Sequence, residues 1–131
     1  MKNLDVLIVD DHKTMLKIIR NILNQIDIKK IDEAFDGEQA LIKMKMKKYD
    51  LIISDWNMEP MTGLQLIEKV RTEPEYNHQN SPFIMVTAES KPENVMEARK
   101  AGVDNYVVKP FSADIIMNKI KATLAKRSIT V

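Results

Sequence analysis

Val6-Leu7-Ile8-Val9-Asp10-Asp11 carries four apolar residues without a break into two carboxylates. The run is too short for a helix. Continuous rather than alternating hydrophobicity marks a strand buried on both faces. Three runs downstream repeat the pattern: Leu51 to Ile53, Phe83 to Val86, and Val107 to Val108. Lys30 to Phe35 alternates instead, with Ile31, Glu33 and Phe35 on one side. That pattern suits a half-exposed edge strand. Between the runs, apolar residues recur at helical spacing. They are Met15, Ile19, Ile22, Leu23 and Ile26; Ala40, Leu41 and Met44; Leu64, Ile67 and Val70; Val95, Ala98 and Arg99; and Ile116, Ile120 and Leu124. Asp11, Thr62 and Ser112 stand where helix starts are expected, and Gly102 where a helix ends. Strands alternating with helices predict an α/β fold, with a five-stranded parallel sheet, five helices and helices on both faces.

Composition narrows the class. The chain has 131 residues, which fits one domain with a single core. Lys plus Arg total 20 against 19 Asp plus Glu. That balance lacks the basic excess of a dedicated nucleic-acid binder. There is no Cys, so disulfides, thiolate zinc sites and Cys nucleophiles are excluded. No apolar run approaches the ~18 residues of a membrane span, and the N-terminus lacks the pattern of a secretion signal. A cytoplasmic location is expected, and Thr72 to Pro82 reads as a surface loop.

In open parallel sheets, ligands bind beyond the carboxyl ends of the strands. There the chain places Asp10 and Asp11 after the first run, Asp55 after the third strand's run, Thr87 after the fourth, and Lys109 after the last. Three carboxylates at one sheet edge repel. A pair at ~4 Å costs on the order of 4 kcal/mol at an effective dielectric near 20. With oxygen ligands and no His or Cys nearby, the cluster calls for a hard cation, and Mg²⁺ is the natural choice. Three carboxylates, one Mg²⁺ and one ammonium sum to zero, so such a site can receive a phosphoryl group by positioning and charge neutralisation. The first strand ends in acids rather than in a Gly-rich loop, which disfavours a flavin or nucleotide.

Four stretches carry a resemblance: Val6 to Asp11, Ser54-Asp55-Trp56-Asn57-Met58, Val86-Thr87-Ala88-Glu89, and Tyr106-Val107-Val108-Lys109-Pro110-Phe111. With the helices between, the chain resembles the receiver domains of two-component response regulators, of the stand-alone chemotaxis (CheY-like) type. The resemblance implies a doubly wound, flavodoxin-like sheet in strand order 2-1-3-4-5. It implies that Asp55 takes a phosphoryl group from the phosphohistidine of a histidine kinase or histidine phosphotransfer protein. Asp11 and Asp55 would bind Mg²⁺ directly, Asp10 through water and Asn57 through its main-chain carbonyl. Lys109 and Thr87 would contact phosphoryl oxygens. Thr87 and Tyr106 would form a switch that changes the face of the fourth helix, fifth strand and fifth helix. Asn57 and Glu89 would tune dephosphorylation, giving a short-lived phosphorylated state. The Lys109–Pro110 bond would be cis, against a base rate of ~5–6% for X-Pro bonds.

The chain would thus be no enzyme beyond its own phosphorylation and dephosphorylation. It would bind a downstream protein, such as a flagellar motor switch, as a monomer in chemotaxis or motility. A relay intermediate or phosphate sink is the alternative. Residues 1–131 are expected to form one receiver domain, with no output domain after the four residues Ser128 to Val131. One departure stands out. Where the family shows Met-Pro-x-Met-Asp-Gly, this chain has Met58-Glu59-Pro60-Met61-Thr62-Gly63, with the proline one place later.

His12 reads as a solvated first-turn residue, and His78 as a surface residue without a partner. Trp56, beside Asp55, is a natural fluorescence reporter. Lys43 to Lys48 reads as a solvated helix end, and Met46 and Met58 as exposed methionines.

Overall fold

A computed structural model describes residues 3–126. The expected tail, residues 128–131, lies outside the described residues. Strand β1 (Asp5–Val9) begins the sheet, followed by α1 (Lys13–Gln25), β2 (Lys30–Ala34), α2 (Gly37–Met46), β3 (Leu51–Asp55), α3 (Gly63–Thr72), β4 (Phe83–Thr87), α4 (Pro92–Ala101), β5 (Asn105–Val108) and α5 (Ala113–Lys126). All neighbouring strands pair in parallel, in the order β2-β1-β3-β4-β5.

Alternate residues of each central strand serve opposite faces, which is why the runs are unbroken. Val6 and Ile8 pack with α1 and α5, against Leu16, Leu23, Ile116 and Ile120. Leu7 and Val9 pack with α2, α3 and α4, against Met44, Leu66, Ile67 and Ala98. Strand β2 is the edge that its alternation predicts. Ile31 is buried, and the strand stops at Ala34, leaving Phe35 41% exposed.

Local chemistry sets the helix ends. Thr62 and Gln65 form a reciprocal capping box at α3. The Asp36 carboxylate caps α2, accepting from Gln39 N at 2.8 Å, and Ser112 Oγ accepts from Ile115 N at 3.2 Å. Gly102 terminates α4 at φ 108, a left-handed conformation that suits glycine. Helix α1 departs from expectation. Its N-cap is His12, which makes no capping bond, and Asp11 does not cap it. The stripes are also rotated in detail: Leu16 and Leu66 are buried, while Met15 and Leu64 are only partly so.

The 72–82 connection is mostly a surface loop, as expected, but it corrects the reading of His78 as a surface residue. It contains a short 3-10 turn, Pro74–Tyr76, and it buries His78 completely. His78 Nε2 accepts the Tyr49 backbone N–H at 2.9 Å, and Nδ1 bonds the Tyr76 carbonyl. Arg71, also mostly buried, donates to the carbonyls of His78 and Gly102 and to Asp104. The imidazole therefore supplies bonds that the surrounding backbone needs. Met58 is likewise buried, at 2% exposure, whereas Met46 is 80% exposed. The lysines at the end of α2 are not merely solvated: Lys45 pairs with Glu75, and Lys47 with Asp5 and Asp32.

Candidate functional site

Parallel pairing aligns the carboxyl ends of β1, β3, β4 and β5, and the polar residues that end those strands meet there. Asp10 and Asp55 are almost fully buried, at 1% and 2% exposure, while Asp11 is exposed. Lys109 reaches between the buried pair, with Nζ 3.4 Å from Asp55 Oδ1 and 3.9 Å from Asp10 Oδ2. The first distance is an ion pair, yet Asp55 Oδ1 accepts no hydrogen bond. Burial pushes the Asp55 carboxyl above its ordinary pKa, and the Asp10 charge adds to this; Lys109 and the Asn57 backbone N–H oppose it. Asp10 Oδ1 is better satisfied, accepting the His12 backbone N–H at 2.9 Å.

Main-chain bonds hold the cluster. Asp10 N donates to Ala34 O at 3.1 Å, Trp56 N to Val86 O at 3.2 Å, and Lys109 N to Thr87 O at 2.7 Å. Gly63 N donates to Trp56 O at 2.8 Å, tying the start of α3 to the loop after Asp55. The Lys109–Pro110 bond is cis, and so is Glu59–Pro60 in the loop where the chain departs from the family pattern.

Asp10, Asp11, His12 and Asp55 each offer a ligand atom within 4.8 Å of the others. A buried carboxylate oxygen with no hydrogen-bond donor, beside a second buried carboxylate, fits a divalent cation held mainly by oxygen. His12 departs from its first-turn reading. Its side chain is exposed but turns back, with Nδ1 3.1 Å from Asp10 Oδ1 and 2.9 Å from Asp11 Oδ1. The adjacency of His12 to the acid pair was the signal in the sequence.

On the other side of Asp55, Thr87 Oγ1 accepts the Glu89 N–H at 3.1 Å and stands 3.5 Å from Asn57 Nδ2. The Glu89 carbonyl accepts the Tyr106 hydroxyl at 2.7 Å. The Tyr106 ring meets Trp56 edge-on, with centroids 6.2 Å apart. The Glu89 peptide therefore bridges Thr87 and Tyr106. Beyond Tyr106 the surface carries exposed Met96 on α4, Val108 on β5 and Ile115 on α5.

The response regulator receiver domain model matches residues 6–121. The chain belongs to the response regulator receiver family. This receiver is 41% identical over 119 residues to the chemotaxis protein CheY-3 of Vibrio cholerae, covering 91% of this chain and 90% of that protein. It is 43% identical over 116 residues to the chemotaxis protein CheY of Pseudomonas aeruginosa, covering 88% and 92%. The solved Vibrio cholerae chemotaxis protein CheY4 superposes on the receiver with a TM-score of 0.84 at 31% identity, covering 92% of this chain and 98% of that one. The family is CheY-like and the fold flavodoxin-like. Among the described residues, no helix is long and apolar enough to cross a membrane.

Proposed function

We propose that the chain is a response regulator receiver that takes a phosphoryl group from a phosphohistidine onto Asp55. The modified domain then selects a protein target in chemotaxis or motility through the face of α4, β5 and α5. The convergence of Asp10, Asp55, Thr87 and Lys109 from four strand ends carries this reading. An Asp55 carboxylate oxygen attacks phosphorus, the phosphorus–nitrogen bond breaks, and the histidine imidazole leaves with its electron pair. An acyl phosphate forms.

Asp10, Asp11, Asp55 and the Asn57 main-chain carbonyl would hold Mg²⁺, which offsets carboxylate and phosphoryl charge when bound. Lys109, already 3.4 Å from Asp55 Oδ1, is placed to pair with a phosphoryl oxygen. Thr87 is placed to donate its hydroxyl to another. Turning toward it draws on the Glu89 N–H bond, and through the Glu89 peptide on the Tyr106 hydroxyl. Asn57, whose Nδ2 stands 3.5 Å from Thr87 Oγ1, and Glu89, whose N–H bonds the same hydroxyl, would set how fast water removes the group. The partners are a histidine kinase or phosphotransfer protein upstream and a switch-type target, such as a flagellar motor protein, downstream. The Thr87–Glu89–Tyr106 connection favours target selection over a phosphate sink, which has no use for it.

The test treats wild type and Asp55→Asn with acetyl phosphate or beryllofluoride in the presence of Mg²⁺. An Asp55-dependent change in Trp56 emission, with one phosphoryl group gained by mass after acetyl phosphate, is expected. Neither change occurring, or both persisting in Asp55→Asn, would sink the proposal. A target captured only in the activated state supports the switch; rapid back-transfer to a phosphohistidine domain with no such target supports the sink.

A further inference from the structure

His12 occupies the N-cap of α1 and makes no capping bond there. Its imidazole turns instead to the acidic cluster, with Nδ1 2.9 Å from Asp11 Oδ1 and 3.1 Å from Asp10 Oδ1. The side chain is 68% exposed, so packing does not force this pose. The contact with exposed Asp11 stabilises it little, and the contact with buried Asp10 draws the ring toward the cluster. One further observation points to a ligand at the same place: Asp55 Oδ1 is buried and accepts no hydrogen bond. Among the described residues its charge is met only by the Lys109 ammonium at 3.4 Å, while Asp10 adds a second buried carboxylate, so a further cation is favoured there.

We propose that His12 Nδ1 is a ligand to the cation at this cluster, and that it shifts the site's preference from Mg²⁺ toward Mn²⁺ and the later divalent transition ions. This deepens the reading of the cluster as a divalent-cation site and rests on it. Mg²⁺ favours oxygen ligands and keeps several waters, so an imidazole adds little to its binding. Ions from Mn²⁺ onward take imidazole nitrogen increasingly well, and their affinity rises along that series. The required change at His12 is small. A bound ion takes the place of the hydrogen that Nδ1 shares with the carboxylates, and the ring keeps its hydrogen on Nε2. The other ligand atoms lie within 4.8 Å of one another, so one ion reaches carboxylate oxygens and this nitrogen together.

The experiment titrates the full chain with MgCl₂ and with MnCl₂, following Trp56 emission, in wild type, His12→Ala and His12→Asn. Pulsed EPR of the Mn²⁺-loaded proteins then reads imidazole nitrogen coupling to the metal directly. The chain has only 2 His, and His78 is buried in the 72–82 connection, so loss of the coupling in His12→Ala assigns it. Wild type is expected to show the coupling, and both variants to lose it. The preference for Mn²⁺ over Mg²⁺ should fall by about tenfold or more, the scale on which disturbing a metal site's supporting groups acts. Mg²⁺ affinity should stay within about twofold, since hard ions lean on the oxygens. If wild type binds both ions with no nitrogen coupling, or His12→Ala keeps the preference, His12 is no ligand and the divalent-site reading survives. If neither ion binds any of the three proteins, both readings fall.

Discussion

Gly63→Ala tests how closely the site is built. A Cβ at Gly63 would lie 2.2 Å from the Asp55 carbonyl oxygen, 2.8 Å from Trp56 Cα and 2.9 Å from Met85 Sδ. Carbon and oxygen approach no closer than about 3.3 Å even in weak hydrogen bonds. Backbone must therefore supply roughly 1 Å. The Met85 thioether can swing aside, but the Asp55 carbonyl and Trp56 Cα cannot. The Gly63 N–H is also bonded to Trp56 O, so the start of α3 cannot drift away freely. Overpacking of this kind costs about 1–3 kcal/mol. Helix propensity alone has the opposite sign, favouring Ala over Gly by up to ~1 kcal/mol. The direction of the effect thus separates the two accounts. Urea unfolding followed by Trp56 emission should show destabilisation. Labelling of Asp55 by acetyl phosphate should slow on the order of 100-fold, the scale for a 1 Å misplacement of a reacting group. Gly37→Ala is the control: the three atoms nearest its Cβ all belong to the Met61 side chain, with the movable Sδ nearest at 2.6 Å and no backbone among them. That variant should lose less than about 1 kcal/mol, because its neighbour can relax. A Gly63→Ala protein as stable as wild type and labelled at the wild-type rate would refute the close-approach argument.

Three further perturbations probe the rest of the molecule. Burial holds the His78 imidazole below its ordinary value of 6.5, so the unfolded chain takes up a proton that the folded chain resists. Stability should hold above pH 6.5 and fall as pH drops below it; urea midpoints at pH 7.5 and 5.5 should show a smaller drop in His78→Gln than in wild type. Arg71→Lys should cost about 2 kcal/mol in urea unfolding, because an ammonium cannot reproduce the guanidinium fork that serves Gly102 O, His78 O and Asp104. An unchanged midpoint would mean that the fork is dispensable. Tyr106→Leu removes the donor to Glu89 O and the ring against Trp56. It should abolish most of the beryllofluoride-dependent Trp56 change while keeping the Mg²⁺ response; loss of both, or of neither, would break the proposed connection.

The fold was legible because its central strands are buried on both faces. That leaves unbroken runs such as Val6 to Val9, which a one-sided strand could not show. The edge position of β2 was legible for the converse reason. Positions set by the tertiary surroundings were less so. Leu64 and Leu66 are equally apolar, yet the packing of α3 buries Leu66 and leaves Leu64 only partly covered. His78 carries no local signal of burial, since its bonds run to Tyr49, far away in the chain, and to a turn it helps to make. Met58 was misread because the loop after β3 packs it into the core on the α2–α3 side of the sheet. At the site, strand ends located Asp10, Asp55, Thr87 and Lys109 together, since parallel topology forces such residues onto one edge. The turn of His12 toward the acids and the space closed by Gly63 depend on side-chain and loop geometry that spacing does not encode.

The bridge at Glu89 is made of main chain alone: its N–H meets Thr87 and its carbonyl meets Tyr106. Its side chain stands apart, with Oε2 3.4 Å from Asn94 Nδ2. Side chain and main chain of this residue can therefore be altered separately. If, as proposed, the side chain sets how fast water removes the phosphoryl group, exchanging it would change how long a signal persists and leave the main-chain link to the far face in place. Point mutation at this position would then retune the protein's clock without changing its choice of target.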